Sequence, residues 1–118
     1  YISLHSPLTE ETRHMIDGEK LAMMKPTAFL INTARGALID EKALIKALQD
    51  GVIAGAGLDV QEEEPPKEDN PLYTMDNVLL TPHMGWRGLE TRQRLLDLTA
   101  ANIKAYMDGN PINVIVGK

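Results

Sequence analysis

The stretch AFLINTARGALIDEKALIKALQDGVIAGAGLDV, residues 28–60, decides the fold. Ala28-Phe29-Leu30-Ile31 is continuously apolar instead of alternating, which predicts a strand buried on both faces. Asp40 supplies a helix cap, after which Leu44, Ile45 and Leu48 share one stripe while Lys42, Lys46 and Gln49 point elsewhere. Gly51 supplies the stop. Ile53 to Val60 reads as the next strand, small and glycine-rich at Gly55 and Gly57, where something must pass close to the backbone. Strand, helix and strand at these lengths form a right-handed crossover, the unit of a parallel sheet.

Working outward, Tyr1 to Leu4 predicts an earlier strand. Thr9 is expected to cap a short helix whose first turn carries Glu10 and Glu11, and Asp17 begins a second that must stop before Pro26. Downstream, residues 61–76 are polar and proline-broken, hence a loop, and Val78-Leu79-Leu80 is a fourth strand. The longest helix runs from about Leu89 to Met107, with Leu95, Leu96, Thr99, Ile103 and Tyr106 on one face. Asp108-Gly109-Asn110-Pro111 ends it, and Ile112 to Val116 is a final extended segment. The fold class is therefore α/β, a parallel sheet covered on both sides by helices.

Composition bounds what such a chain can do. At 118 residues it is one domain or part of one, and 43% apolar with 25% charged residues is ordinary globular composition. Twelve basic against 17 acidic residues give a net charge of −5, and aromatics are only 4%, so nucleic acid and anionic membrane are poor partners. The absence of cysteine removes disulfides, thiolate metal sites and cysteine nucleophiles, and fits a cytoplasmic protein. Neither a signal peptide nor an initiator Met opens the chain, and its start inside an apolar, β-prone stretch implies that something precedes it.

In open parallel sheets ligands bind beyond the carboxyl ends of the strands. Those ends are His5-Ser6-Pro7, Asn32-Thr33-Ala34-Arg35-Gly36, Asp59 to Glu64, and Thr81-Pro82-His83. Arg35 is permanently charged and can grip a carboxylate with two hydrogen bonds. His83 titrates near neutrality and is the natural proton donor or acceptor, and a carboxylate from Glu62-Glu63-Glu64 touching it would favour the protonated ring. Taken singly, each has a plainer reading: Arg35 as a solvated loop cation, the glutamates as surface, His83 as a cap on the sheet, Trp86 as packing. His5 and His14 show no partner in the sequence and are read as structural. No G-x-G-x-x-G motif, Walker loop or metal-type histidine spacing occurs.

Four segments carry a resemblance. His5 to Ile16 (HSPLTEETRHMI), Met24 to Gly36 (MKPTAFLINTARG), Gly57 to Pro65 (GLDVQEEEP) and Asn77 to His83 (NVLLTPH) resemble, in order and spacing, the NAD-dependent D-2-hydroxyacid dehydrogenases. The T-P-H-M-G-W ending and the later G-N-P-I-N-V-I-V look most like the bacterial glycerate dehydrogenase or hydroxypyruvate reductase branch. The resemblance implies a fragment of a Rossmann-like, doubly wound sheet: residues 1–107 as the second half of an NAD-binding domain lacking its glycine-rich loop, and 108–118 as a tail returning to an absent substrate domain.

It also implies roles. Arg35 matches the residue that holds the substrate carboxylate, His83 the acid/base at the C2 oxygen, and Glu64, directly before Pro65, the carboxylate paired with it. Ser6, Pro7, Thr12, Thr33, Ala34, Arg35, Asp59 and His83 fall where the family lines the dinucleotide. The implied cofactor is NAD, with NADP also compatible; no metal is implied. The substrate would be a small 2-keto or 2-hydroxy acid, with hydroxypyruvate/glycerate as the best single guess. Gln61 and M-G-W-R-G depart from the family's usual residues. The isolated chain is expected to pair as a homodimer, through the apolar Tyr1–Leu4 edge or through its final helix and tail packing on another copy. Two other classes stay open: a non-catalytic dinucleotide-sensing module like the family's corepressor relatives, and a structural remnant without ligand.

Overall fold

The computed structural model describes residues 1–115, so Val116 of the last expected segment lies outside the described residues. Strands β1 (Ile2–Leu4), β2 (Phe29–Asn32), β3 (Gly55–Leu58) and β4 (Val78–Leu80) alternate with α1 (Gly18–Ala22) and α2 (Glu41–Gln49), and α3 (Leu89–Met107) follows. All four strands are parallel, in the order β1-β2-β3-β4. The α/β class read from the sequence is the one observed. Two compact units are present, Tyr1–Met84 with the sheet, α1 and α2, and a second that begins at Gly85 and holds α3.

Register decides which side chains meet. Leu4, Asn32, Leu58 and Leu80 lie in one row across the sheet, and Ile2, Leu30, Ala56 and Val78 in the row before it. Leu21 of α1 and Leu44, Ala47 and Leu48 of α2 join this face in one core. Every crossover steps the same way along the sheet, and right-handed crossovers then put both linking helices on one side. The opposite face carries Phe29, 38% exposed, and Leu79, 72% exposed. The expectation that the Ala28–Ile31 run is buried on both faces is thus corrected: an apolar run marks two apolar faces, and only one is covered among the described residues.

Local signals behave as their chemistry requires. The Asp17 side chain accepts from the Lys20 N–H at 2.9 Å and the Asp40 side chain from the Ala43 N–H at 3.1 Å, fixing the starts of α1 and α2. Ala47, rather than the half-buried Ile45, completes the buried stripe of α2. The helix expected after Thr9 is a single turn closed by Arg13 N–H to the Thr9 carbonyl at 3.0 Å. His14 then takes a left-handed φ of 52° and its N–H turns to the Ala37 carbonyl, which breaks the helical ladder.

Strand β3 is shorter than the Ile53–Val60 expected, although Ile53 is 1% exposed and belongs to the core. The 61–76 loop contains one 3-10 turn, Pro71–Thr74, capped by Asn70, and Leu72 from it is buried. In the second unit α3 buries none of its side chains, and residues 112–115 form no strand. No helix among the described residues is long and apolar enough to cross a membrane.

Candidate active site

The turn after β2 is built on a buried amide. Asn32 is 0% exposed; its Nδ2 donates to the Arg35 carbonyl at 2.9 Å and its Oδ1 accepts from the Ala34 N–H at 3.1 Å. That staple holds the Thr33-Ala34-Arg35 turn, whereas in the sequence Asn32 shows only as the first loop residue. The available signal was a polar residue closing an apolar strand on its core-facing row. The exposed Arg35 then has Nη1 2.7 Å from the Ala34 carbonyl. A Cβ at Gly36 would lie 1.9 Å from the Gln61 carbonyl oxygen, so the Arg35–Gly36 backbone rests directly on the Gln61–Glu62 backbone.

The ends of β3 and β4 are joined through Asp59. Its buried Oδ1 accepts from Thr81 Oγ1 at 2.5 Å and from the Met84 N–H at 2.9 Å. Between those two donors stands His83, at a left-handed φ of 48°, with its N–H on the Thr81 carbonyl at 3.0 Å. A side chain in that region costs of order 1 kcal/mol and persists where flanking bonds hold it, as here. The imidazole Nδ1 is 2.7 Å from Glu64 Oε2, and Glu64 Oε1 accepts from the Gln61 N–H at 3.0 Å. Burial alone would raise the Glu64 pKa. The hydrogen bonds from His83 and Gln61 and the positive charges of His83 and Arg35 outweigh it and hold the carboxyl below the usual range.

Arg35, Glu64 and His83, the three residues singled out for chemistry, line one cleft of about 260 Å³ with Leu8 and Gly36. Asp59, Thr81 and His83 line an adjoining one. Ser6, Pro7, Ala34 and Arg35 line a cleft of about 500 Å³ between the ends of β1 and β2. Thr33 and Thr12 do not line this cleft: Thr33 is exposed in the turn beside it, and the Thr12 hydroxyl is turned to the Pro7 carbonyl at 2.8 Å, so it shapes the loop. A hollow beside β1, lined by Tyr1, Ile2, Met23 and Met24, is apolar and distant from these strand ends.

The reading of His5 and His14 as lacking partners is corrected. His5 Nε2 is 2.8 Å from Ser3 Oγ, and His14 Nε2 is 2.6 Å from Glu62 Oε1. The His14–Glu62 pair joins residues 48 positions apart in the chain, which periodicity does not report. Glu62 is therefore tied down, and only Glu63, with Lys67 at 3.6 Å, fits the solvated-surface reading of the acidic run. In the second unit Trp86 is 51% exposed with the Arg92 guanidinium 5.8 Å from its ring centre. Among the described residues no group of three or more His, Asp or Glu could hold a metal ion.

Comparison with known proteins agrees with this geometry. The family model for the D-isomer specific 2-hydroxyacid dehydrogenase, NAD binding domain, matches residues 1–85. A glyoxylate reductase of Korarchaeum cryptofilum is 52% identical over 116 residues, covering 98% of this chain and 35% of that protein. A glycerate dehydrogenase of Methylorubrum extorquens is 50% identical over 116 residues, covering 97% of this chain and 37% of its own length. The NAD-complexed D-isomer specific 2-hydroxyacid dehydrogenase of Lactobacillus delbrueckii ssp. bulgaricus superposes with a TM-score of 0.89 at 38% identity, over 97% of this chain and 39% of that one. The chain thus spans about a third of the length of the curated relatives it matches. With the parallel sheet, the strand-end site and the family match in agreement, the chain belongs to the D-isomer specific 2-hydroxyacid dehydrogenase family, in its NAD-binding domain.

Proposed function

We propose that the protein carrying this chain reduces a short 2-keto acid to the corresponding 2-hydroxy acid, or runs the reverse oxidation, with NAD(H) or NADP(H). The observation that carries the reading is the Arg35–Glu64–His83 cleft at the carboxyl edge of the sheet. A nicotinamide dinucleotide fits the residues present. The cleft between β1 and β2 opens where such sheets take ligands, and the Asn32 staple holds the turn backbone that would face it. When bound, the dinucleotide supplies the hydride that adds to C2 of the keto acid.

The chain's own residues do the rest. Arg35 grips the substrate carboxylate and sets the C2 carbon in place. His83 delivers a proton to the C2 oxygen as the hydride arrives, and takes it back in the oxidation. Glu64, on Nδ1, fixes the orientation of the ring and leaves Nε2 for the substrate. Asp59 holds the Thr81–Met84 turn that presents His83 and would lie toward the nicotinamide carboxamide, while Ser6, Pro7, Thr12, Thr33 and Ala34 would form or shape the dinucleotide side. Hydroxypyruvate/glycerate is the substrate pair we favour. Relatives named glyoxylate reductase recur beside the glycerate dehydrogenase, so glyoxylate is the competitor to assay beside it.

In the full-length protein, His83→Ala should abolish turnover of both keto acids with cofactor binding retained. Near-normal turnover would refute the assignment. A homodimer and a cytoplasmic location belong to the same reading. In the isolated chain the dimer would form on the β1 edge, where Tyr1 is 96% exposed and stacks on Phe29 with ring centres 5.5 Å apart. Sedimentation of a monomer at high concentration would refute it.

A further inference from the structure

Two residues before Glu64, the chain holds a second carboxylate–imidazole pair. Glu62 Oε1 accepts from His14 Nε2 at 2.6 Å and from Arg13 Nη2 at 3.4 Å. Its Oε2 takes the N–H of Glu41, the first residue of α2, at 3.4 Å, where the helix end favours negative charge. In return the Glu62 N–H donates to Glu41 Oε2 at 3.0 Å. Asn70 closes the group, its Nδ2 donating to Glu41 Oε1 at 2.9 Å and to Gln61 Oε1 at 3.2 Å. Glu62 borders the Arg35–Glu64–His83 cleft, but its carboxylate is occupied by these three donors.

The placement of this group gives it a consequence. His14 hangs from the Ala37 carbonyl at 2.8 Å, directly after the Arg35–Gly36 turn. Glu62 adjoins Gln61, whose N–H is the donor that sets Glu64 Oε1 at 3.0 Å. The pair therefore ties the turn carrying Arg35 to the loop carrying Glu64. We infer that His14 and Glu62 are a positioning pair for the Glu64 carboxylate, holding the 61–64 loop in register with the Arg35–Gly36 turn and the start of α2. Neither is assigned a proton transfer, and the inference rests on the proposed role of Glu64.

Two measurements on the full-length protein test it. In the first, Glu62→Ala should lower kcat for keto-acid reduction about tenfold or more, with the cofactor KM within about twofold, because a misplaced catalytic partner costs rate before binding. Glu62→Gln, which keeps the side chain's length and one acceptor oxygen of the two, should recover part of that loss. Placed on Glu64→Gln, Glu62→Ala should add no more than about a twofold loss, since groups acting through one another are not additive. Losses that multiply in the double variant would overturn the inference and leave Glu62 with general stability alone.

The second needs no turnover. Hydrogen exchange at the Gln61 amide should accelerate about tenfold in Glu62→Ala and in His14→Ala, because local opening removes its carboxylate acceptor. Unchanged exchange would overturn the positioning pair. Should Glu62→Ala fail to fold, His14→Ala, which leaves the Glu62–Glu41 backbone bonds in place, serves both measurements with the same expectations. If Glu64→Gln itself turns over normally, the role of Glu64 falls, and the exchange result judges the pair separately.

Discussion

Replacing Gly36 by Ala tests how the site is held together. The added Cβ would stand 1.9 Å from the Gln61 oxygen, 2.0 Å from its carbonyl carbon and 2.5 Å from the Glu62 nitrogen, all backbone atoms. Ordinary contact begins at 3.4 Å, so the Gln61–Glu62 backbone must withdraw by about 1.5 Å, the difference from 1.9 Å. No rotamer change relieves it. The displaced segment carries the N–H that fixes Glu64 and the carboxylate that holds His14. A misplacement near 1 Å costs about a hundredfold in rate, and overpacking costs roughly 1–3 kcal/mol in stability. The assay is steady-state reduction of hydroxypyruvate and glyoxylate by the full-length protein, beside thermal unfolding and cofactor titration. We expect kcat to fall about a hundredfold, the melting temperature to drop, and dinucleotide binding on the β1–β2 side to survive. Gly36→Ala with wild-type kcat and melting temperature would refute the claim that the turn and loop are in enforced contact.

Asp59→Ala removes the acceptor shared by Thr81 Oγ1 and the Met84 N–H, and leaving such groups unpaired costs about 1–3 kcal/mol, read as a lower melting temperature. Asp59→Asn keeps a carbonyl oxygen there and should lose less; equal losses would count against the hydrogen-bond account. Glu64 has a folded pKa held below its ordinary 4.5, so its stabilisation is fully present above 4.5 and is lost as pH falls through the folded value. The gap in melting temperature between wild type and Glu64→Gln should therefore be full at pH 6–7 and close as the solution is acidified below about 4.5. A gap that widens in acid would show the sign to be wrong.

The sequence by itself determined the strand–helix order, the starts of α1 and α2 and the four strand ends at which chemistry could collect. Those features follow from short-range rules: an aspartate satisfies the N–H groups of the next turn, and a short apolar run bounded by turn residues, as Ala28–Ile31 is by Pro26 and Asn32, fits a strand. The strand ends also pointed to Arg35, His83 and a carboxylate of the Glu62-Glu63-Glu64 run, and motif resemblance chose Glu64 among the three. Tertiary structure decided everything that depends on residues distant in the chain. Among the described residues it covers one face of the sheet and leaves Phe29 and Leu79 exposed on the other, because the crossovers within them step the same way. It gives His14 its partner 48 positions away, turns Thr12 onto Pro7 and makes buried Asn32 the staple of the Arg35 turn. No period in the sequence encodes the contact of Gly36 with Gln61, since backbone proximity is set only when the β2 turn and the β3 loop are packed against each other.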